Sequence, residues 1–381
     1  MIIRQLKNED AFQHERVASQ AFVFTCDTEN CELPEELMLG AFFDDNKTLM
    51  ADMEIGLREN FFCKSTLKCL AVGGVASKPE YRNRGAIRAI FNTLFNEEKY
   101  NGGAEISILY PFSFAYYKKF GYESVGRAVE LKFPFSELKD IPKCSDVFLY
   151  EEQDNPRFFE LYNKSAQKNQ LSFVREDKKY FTFDPYKTLK YTYVLNDYSA
   201  YVTFSVSRKE QTVFVDEIEF LNKASLVKIL GFLRAFEGNQ KYLFFSKISE
   251  NSPIFSLINV EKNVSVRLYS MGAARILDVE KVLLKNEYPA EAGEFSLKVI
   301  DSVEKNNAVF TVSYENGNVK VSKNKKDPDV ILDICAASKI LLSGIREPSA
   351  IEYMNGVEII NHNEAFLKAF PFRDCFYNDG F

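Results

Sequence analysis

Tryptophan is absent from the 381 residues, and histidine occurs only as His14 and His362. A histidine-rich metal site needs more imidazoles than that, and a Ser-His-Asp triad would have to recruit one of these two. The chemistry is therefore expected to run without histidine; His14, inside a helical pattern, reads as a partly buried or surface residue. The seven cysteines are odd in number and include no C-x-x-C pair, which suits separate thiols in a reducing compartment. Neither a disulfide framework nor a metal is expected. No apolar run reaches the ~18 residues of a membrane span, and the opening MIIRQLKNED lacks the apolar stretch of a signal peptide. A cytoplasmic chain with no membrane partner is expected. The formal charge is −6 and the one basic run, SKNKKDP at 322–328, is bounded by Asp327, so nucleic acid is not an expected partner.

Aromatic residues are plentiful instead, with 35 Phe and 20 Tyr, and the length calls for two or three packed cores. MIIRQL reads as a first strand, and Asn8 as the cap of a helix over AFQHERVASQAF. MLGAFFDDNKTLMADMEI reads as a hairpin around Asp44–Lys47. TLKCLAVGGVAS reads as a strand whose Gly73-Gly74 pair marks a bulge or a close approach by another group. Ile87, Ile90, Phe91, Leu94 and Phe95 have the spacing of a helix with one buried face. ISILYPF follows as a strand. A second mixed segment starts near 148, with strands KYTYVLND, AYVTFSVS and TVFVDEIEF and a helix ASLVKILGFLRAF. It repeats the element order of the first, but its strand-to-helix loop, LNKAS, contains no glycine. From 272 onward, FSLKVID, AVFTVSYENGNVKVS with its Asn316-Gly317 turn, and PDVILDICA read as strands of a third α+β unit. The expected division is 1–147, 148–271 and 272–381, all of mixed α+β class.

The segment GGVASKPEYRNRGAIRAIF, residues 73–91, carries the chemistry. A strand delivers the chain to a basic loop with Arg82, Arg84 and Gly85, and a helix starts at once. The first N–H groups of a helix are unpaired and sit at the positive end of its dipole, so they seat a phosphate or pyrophosphate. Gly85 permits close approach and the arginines add charge.

Arg82-Asn83-Arg84-Gly85-Ala86-Ile87 resembles the acetyl-CoA pyrophosphate loop of the GNAT N-acetyltransferases, Q/R-x-x-G-x-G/A, departing from it at Ile87, and YYKKFGY at 116–122 resembles their later Y-x-x-x-G-F/Y signature. More narrowly, GGVAS-x-PEYRxRG, ARILDV and the Phe-terminated tail together resemble the Eis-like acetyltransferases. That resemblance implies two tandem GNAT-type acyl-CoA N-acyltransferase domains, the central one degenerate, followed by a sterol-carrier-protein-like domain. It also implies a hexameric homo-oligomer and acetyl-CoA as co-substrate. By motif position, Val75, Ala76 and Ser77 would hold the pantetheine arm through strand-like backbone bonds. Asn83, Arg84, Gly85, Ala86, Ile87 and Arg88 would hold the pyrophosphate, and Phe112 and Ser113 would make a further cofactor contact.

Acetyl transfer needs a neutral amine, donors for the developing oxyanion and a proton for the departing thiolate. The resemblance assigns the acid to Tyr117, in preference to Tyr116, and the base to the terminal carboxylate of Phe381 at the end of FRDCFYNDGF. The strand backbone near Val75 is the expected oxyanion donor. Asp374 and Asp379 would add negative potential near the same site. A phenol of pKa ~10 lies within about two units of a thiol at ~8.5, so the transfer is feasible on reference values. The expected substrate is a small-molecule cationic amine, an aminoglycoside first. Alternatives are a lysine or polyamine acceptor, or a non-catalytic lipid- or partner-binding protein working through its third domain. The last predicts a damaged cofactor loop, whereas Arg82, Arg84, Gly85 and Tyr117 are all present.

Overall fold

The computed structural model describes residues 1–26, 31–151, 156–176, 185–259, 262–324 and 326–380. Contacts divide it into two units, one of 1–125 with 272–372 and the other of 126–271 with 373–380. In the first unit the helix Ala11–Phe22 forms where its pattern predicts. Asn8 is not its cap, however: Asn8–Asp10 is a 3-10 turn, and the Asp10 carboxylate accepts from the Lys7 N–H at 2.8 Å and from Arg4 at 2.7 and 3.0 Å. The predicted hairpin joins Leu37–Phe42 to Leu49–Phe62. Asp45 holds its turn by accepting from the Lys47 and Thr48 N–H groups at 2.9 and 3.0 Å.

The first sheet of this unit has, among the described residues, seven strands in the order Ile2–Gln5, Leu37–Phe42, Leu49–Phe62, Ser65–Ser77, Ile106–Leu109, Ala273–Ile276, Glu123–Ser124. The helix Ala86–Asn96 lays Ile87, Ile90, Phe91, Leu94 and Phe95 against Leu70, Val72 and Met53. Each such side chain, fully buried, contributes about 1.5–3 kcal/mol. The sheet is completed by Ala273–Ile276, from the ARILDV stretch, which pairs antiparallel with both Ile106–Leu109 and Glu123–Ser124. The same unit holds a second sheet, Asn318–Asn324, Val309–Glu315, Gly293–Ile300, Val330–Asp333, Val357–Ile359. Its Asn316 and Gly317 adopt φ of 51° and 81°, as a type I′ hairpin turn requires. PDVILDICA is not one strand: Asp333 accepts from the Ala336 N–H at 2.7 Å and so starts the helix Ile334–Ser343.

The second unit is a sheet of, among the described residues, seven strands in the order Ser265–Ser270, Arg127–Pro134, Tyr242–Ser249, Thr212–Phe220, Ala200–Ser207, Tyr191–Leu195, Val147–Leu149. The expected boundary at 147/148 moves to 125/126, because Arg127–Pro134 finds its partners in Tyr242–Ser249 and Ser265–Ser270. The tail also departs from expectation. Residues 373–380 leave the 272–372 segment and are bound in the second unit, where the Phe376 N–H donates to Gln170 O at 3.0 Å and the Gln170 N–H to Asp374 O at 2.7 Å.

Asp379 ends in a buried network: Arg175 Nε donates to it at 2.6 Å, Arg175 grips Glu217 at 2.7 and 3.1 Å, and Tyr201 OH donates to Glu217 at 2.7 Å. The charge expected from Asp379 is thus compensated by Arg175. Burial alone would raise the Glu217 carboxyl, but Arg175 and the Tyr201 hydroxyl outweigh it and hold it below its ordinary value. Removing one member of such a pair leaves an uncompensated buried charge. Arg175→Met is expected to cost about 3–5 kcal/mol, read as a lower urea midpoint; a midpoint within error of wild type would refute the assignment.

Candidate active site

The strand Ser65–Ser77 pairs with Ile106–Leu109 in parallel only over Cys69–Val72, and beyond Val72 the two part. Residues 73–77 keep their outer partner, Leu49–Phe62, while no strand pairs with their inner edge among the described residues. Asp52 lies opposite Ala76 and Glu54 opposite Gly73, so Met53 faces two residues, a bulge with Gly74 at φ 56°. The sequence-predicted Val75, Ala76 and Ser77 thus present N–H and C=O groups to an open edge. A backbone edge of this kind is a site for an extended, amide-bearing ligand.

That edge leads through the turn Pro79–Tyr81 to the predicted loop. Asn83 and Gly85 adopt φ of 61° and 81°, and no side chain caps the helix that begins at Ala86. Its first N–H groups are left for a ligand. A Cβ built on Gly85 would meet nothing within 4 Å. Ala86 and Ile87 bury their side chains in the core and can offer only backbone, while Asn83, Arg84 and Arg88 are exposed.

Tyr117 is 3% exposed and shares a core cluster with Val72, Ala86, Ile87 and Phe91, against which Val75 and Tyr116 also pack. The motif is thereby brought together with the strand and the loop. Phe112 is 75% exposed and packs tilted against Tyr116 and edge-on against Tyr117, with centroids 5.2 and 5.4 Å away. The Ser113 hydroxyl is occupied as a cap, accepting from the Tyr116 N–H at 3.3 Å. Burial pushes the Tyr117 phenol well above its ordinary value. The near match to a thiol on reference values therefore does not hold in this site: the phenol stays protonated and donates a hydrogen bond more readily than it gives up the proton.

The Tyr117 loop is braced from behind. Buried Arg275 donates to Phe120 O at 2.8 Å and to Asp301 at 2.7 Å. A Cβ on Gly121 would come within 1.7 Å of the Arg275 Nη1, which accounts for the glycine of the FGY motif together with its φ of 83°. Cys335, on the helix Ile334–Ser343, makes sulfur contacts of 3.7 Å to the carbonyls of Lys118 and Tyr122.

One pair escaped the sequence reading: His14 Nδ1 lies 3.0 Å from Asp52 Oδ2, with Asp52 fully buried. The signal was present, since His14 is three residues from both Ala11 and Val17 on the buried face of its helix. Glu54, two residues along, has its carboxyl raised by burial and by Glu36, and its Oε2 lies 3.8 Å from where a Gly74 Cβ would stand. Phe381, the predicted source of the base, lies outside the described residues.

Residues 3–125 match the family described as acetyltransferase (GNAT) domain, and residues 279–372 match the sterol carrier protein domain. The chain carries a GNAT acetyltransferase domain. No curated protein matches it at the sequence level. Solved structures share the fold over the whole chain. A GCN5-related N-acetyltransferase from Anabaena variabilis is 21% identical with 100% of each chain covered and a TM-score of 0.85. A protein of unknown function from Enterococcus faecalis, described as a probable N-acyltransferase, is 18% identical with 100% and 99% covered and a TM-score of 0.84. Eis1 from Mycobacterium abscessus is 18% identical with 100% of each covered and a TM-score of 0.82.

The second unit of this acetyltransferase repeats the parallel pair, Thr212–Val215 with Tyr242–Phe245, and the same parting beyond it. Its following helix is closed, because Asn222 accepts from the Ser225 N–H at 3.0 Å and Ser225 bonds back. Its parted strands are also occupied: Asn378 Nδ2 donates to Asp216 O at 3.1 Å on one arm, and Asp374 bonds Ser249 on the other. Among the described residues, only the first unit keeps both the open edge and the uncapped helix. Gly85→Ala is expected to cost only the ~1–2 kcal/mol of left-handed backbone strain, since the space is clear, yet to weaken acetyl-CoA binding by placing a methyl where a phosphate would approach. Equal affinity of variant and wild type by calorimetry would remove this loop from the cofactor site.

Proposed function

We propose that the acetyltransferase moves acetyl from acetyl-CoA to an amine of a cationic small molecule, with aminoglycosides as the acceptor class and polyamines or lysine side chains as the alternatives. The observation that carries this reading is the continuous backbone path from the open edge at 73–77 to the uncapped helix at Ala86. It matches pantetheine at one end and pyrophosphate at the other. Glu54, a carboxyl beside the bulge, supports a cationic acceptor.

In this reading the amine nitrogen attacks the thioester carbonyl, and the N–H groups near Val75 meet the oxyanion. Tyr117 donates to the departing sulfur, and the terminal carboxylate of Phe381 draws the ammonium and takes its proton directly or through water. A hexameric assembly and a cytoplasmic location complete the proposal; light scattering and cell fractionation read them, and a stable monomer would remove the first.

Thiol release from acetyl-CoA should depend on an added aminoglycoside, and Tyr117→Phe should lower kcat by about 10²–10⁴-fold. Deleting Phe381 should lower turnover more than acetyl-CoA affinity. No release with any amine, together with no acetyl-CoA binding, would end the reading; a tail deletion with full activity would confine the tail to structure.

A second capacity is supported by a cavity of about 650 Å³ in the 279–372 domain, whose apolar wall of Ile345, Ile351, Ile359, Phe366, Leu367 and Phe372 is bordered by Arg346, Glu352, Glu364 and Lys368. Its apolar walls suit an acyl chain. Binding of a fluorescent fatty acid should be lost in Leu367→Arg, and binding indifferent to that change would count against it.

A further inference from the structure

The helix Ala11–Phe22 covers one face of the first sheet, where Leu6, Val17, Met38, Phe42, Leu49 and Ala76 form an apolar cluster. Asp52 points to the same face, because it lies directly opposite Ala76 in the register. It is 0% exposed, its Oδ2 is 3.0 Å from His14 Nδ1, and its Oδ1 has no hydrogen-bond partner among the described residues. An ion pair in such surroundings is a poor device for stability, since apolar side chains of similar volume serve as well or better. An orphaned buried acceptor calls for a functional account.

The position supplies one. Ala76 belongs to the open strand edge, one residue beyond the bulge where the thioester would lie, and Glu54 flanks the same bulge. With Nδ1–H donated to Asp52, the imidazole keeps Nε2 as an acceptor, and the carboxylate fixes both tautomer and ring orientation. The charged groups facing this imidazole are Asp52 and Glu54 from the strand and Glu15 on its own helix, while Lys78 acts on Asp52 and is itself influenced by Arg16. Burial alone would lower the His14 pKa, but the Asp52 bond and these carboxylates outweigh it and raise it above the ordinary value. An imidazole, even at its ordinary ~6.5, holds a proton at neutral pH far better than a terminal carboxylate of ~3.3–3.7, and proton-transfer catalysis is most effective when the base is poised near the working pH.

We propose that His14, held by Asp52, accepts the proton that the acceptor ammonium must lose before it attacks, in place of the terminal carboxylate of Phe381, which is left to draw the ammonium by its charge. The inference rests on the acetyl-transfer reading. The ammonium gives one proton to His14 Nε2 and its lone pair forms the C–N bond. The tetrahedral intermediate then expels sulfur, and the nitrogen's second proton reaches it through the Tyr117 hydroxyl, which gives one proton to sulfur as it takes another from nitrogen and so stays protonated throughout. His14 returns its proton to water, so one proton is released for each acetyl transferred, alongside amide and free thiol.

The test combines kinetics with the imidazole's own signal. In wild type, kcat/KM should rise with pH through an acidic limb set by His14. His14→Gln and His14→Asn should both lose about 10²-fold in kcat and lose that limb, with acetyl-CoA affinity kept. The Asn variant restores a donor to Asp52 without a base, so recovery of wild-type kcat in it would show that the pair only supports the fold. A fold-supporting pair would instead appear as stability present below ~6.5 and lost as pH rises through the raised value. With two histidines in the chain, nuclear magnetic resonance resolves each imidazole, and His14→Gln assigns it. The His14 titration should shift when coenzyme A binds. If no amine is turned over, the acetyl-transfer reading fails on its own, and an imidazole indifferent to bound coenzyme A overturns the role of His14.

Discussion

Backbone pairing that stops after four residues organises this molecule. Cys69–Val72 pairs with Ile106–Leu109 and then the strands diverge, leaving the inner edge of 73–77 with donors and acceptors that need partners. The second unit meets the same problem at Thr212–Val215 and Tyr242–Phe245 and answers it with its own chain. There the outer edges stay paired, Glu217 with Thr203 and Ile248 with Val129, and residues 374–378 bond to both arms from within. One geometry is therefore an open edge in one unit and a socket for the C-terminal segment in the other.

The sterol-carrier-like segment is not an appendage to the acetyltransferase domain. The strand Ala273–Ile276, which leads directly into that segment, is an interior strand of the sheet that carries residues 73–77. Arg275 on that strand joins Asp301 to the carbonyl of Phe120, and Lys285 closes on Glu105 at 2.7 Å. Since Arg275 and Asp301 are 1% and 0% exposed at their side chains, breaking the pair would strand a buried charge. The loop that carries Tyr117 is thus held by residues more than 150 positions later in the chain.

Local elements were legible wherever one short-range rule decided them. The spacing of Ile87, Ile90, Phe91 and Leu94 marks a helix face, Asn316-Gly317 marks a tight hairpin, and Gly73-Gly74 marks the bulge. The strand–loop–helix at 73–91 was legible for the same reason, because strand, glycine and helix start are contiguous. Arg127–Pro134 was assigned to the wrong unit because its partners lie more than 100 residues away, and nothing in its own composition names them. His14 was set aside because its partner, Asp52, is 38 residues distant.

By itself the sequence determined the element types, the glycine loop that opens the helix at Ala86 and the tyrosine motif, all of which depend on neighbours within about one turn or one hairpin. The tertiary structure alone decided which strand completes the first sheet, where the tail is bound and which carboxylate meets His14. Those outcomes depend on which buried polar groups find partners across the chain, and a buried charge accepts whichever partner the packing brings within reach.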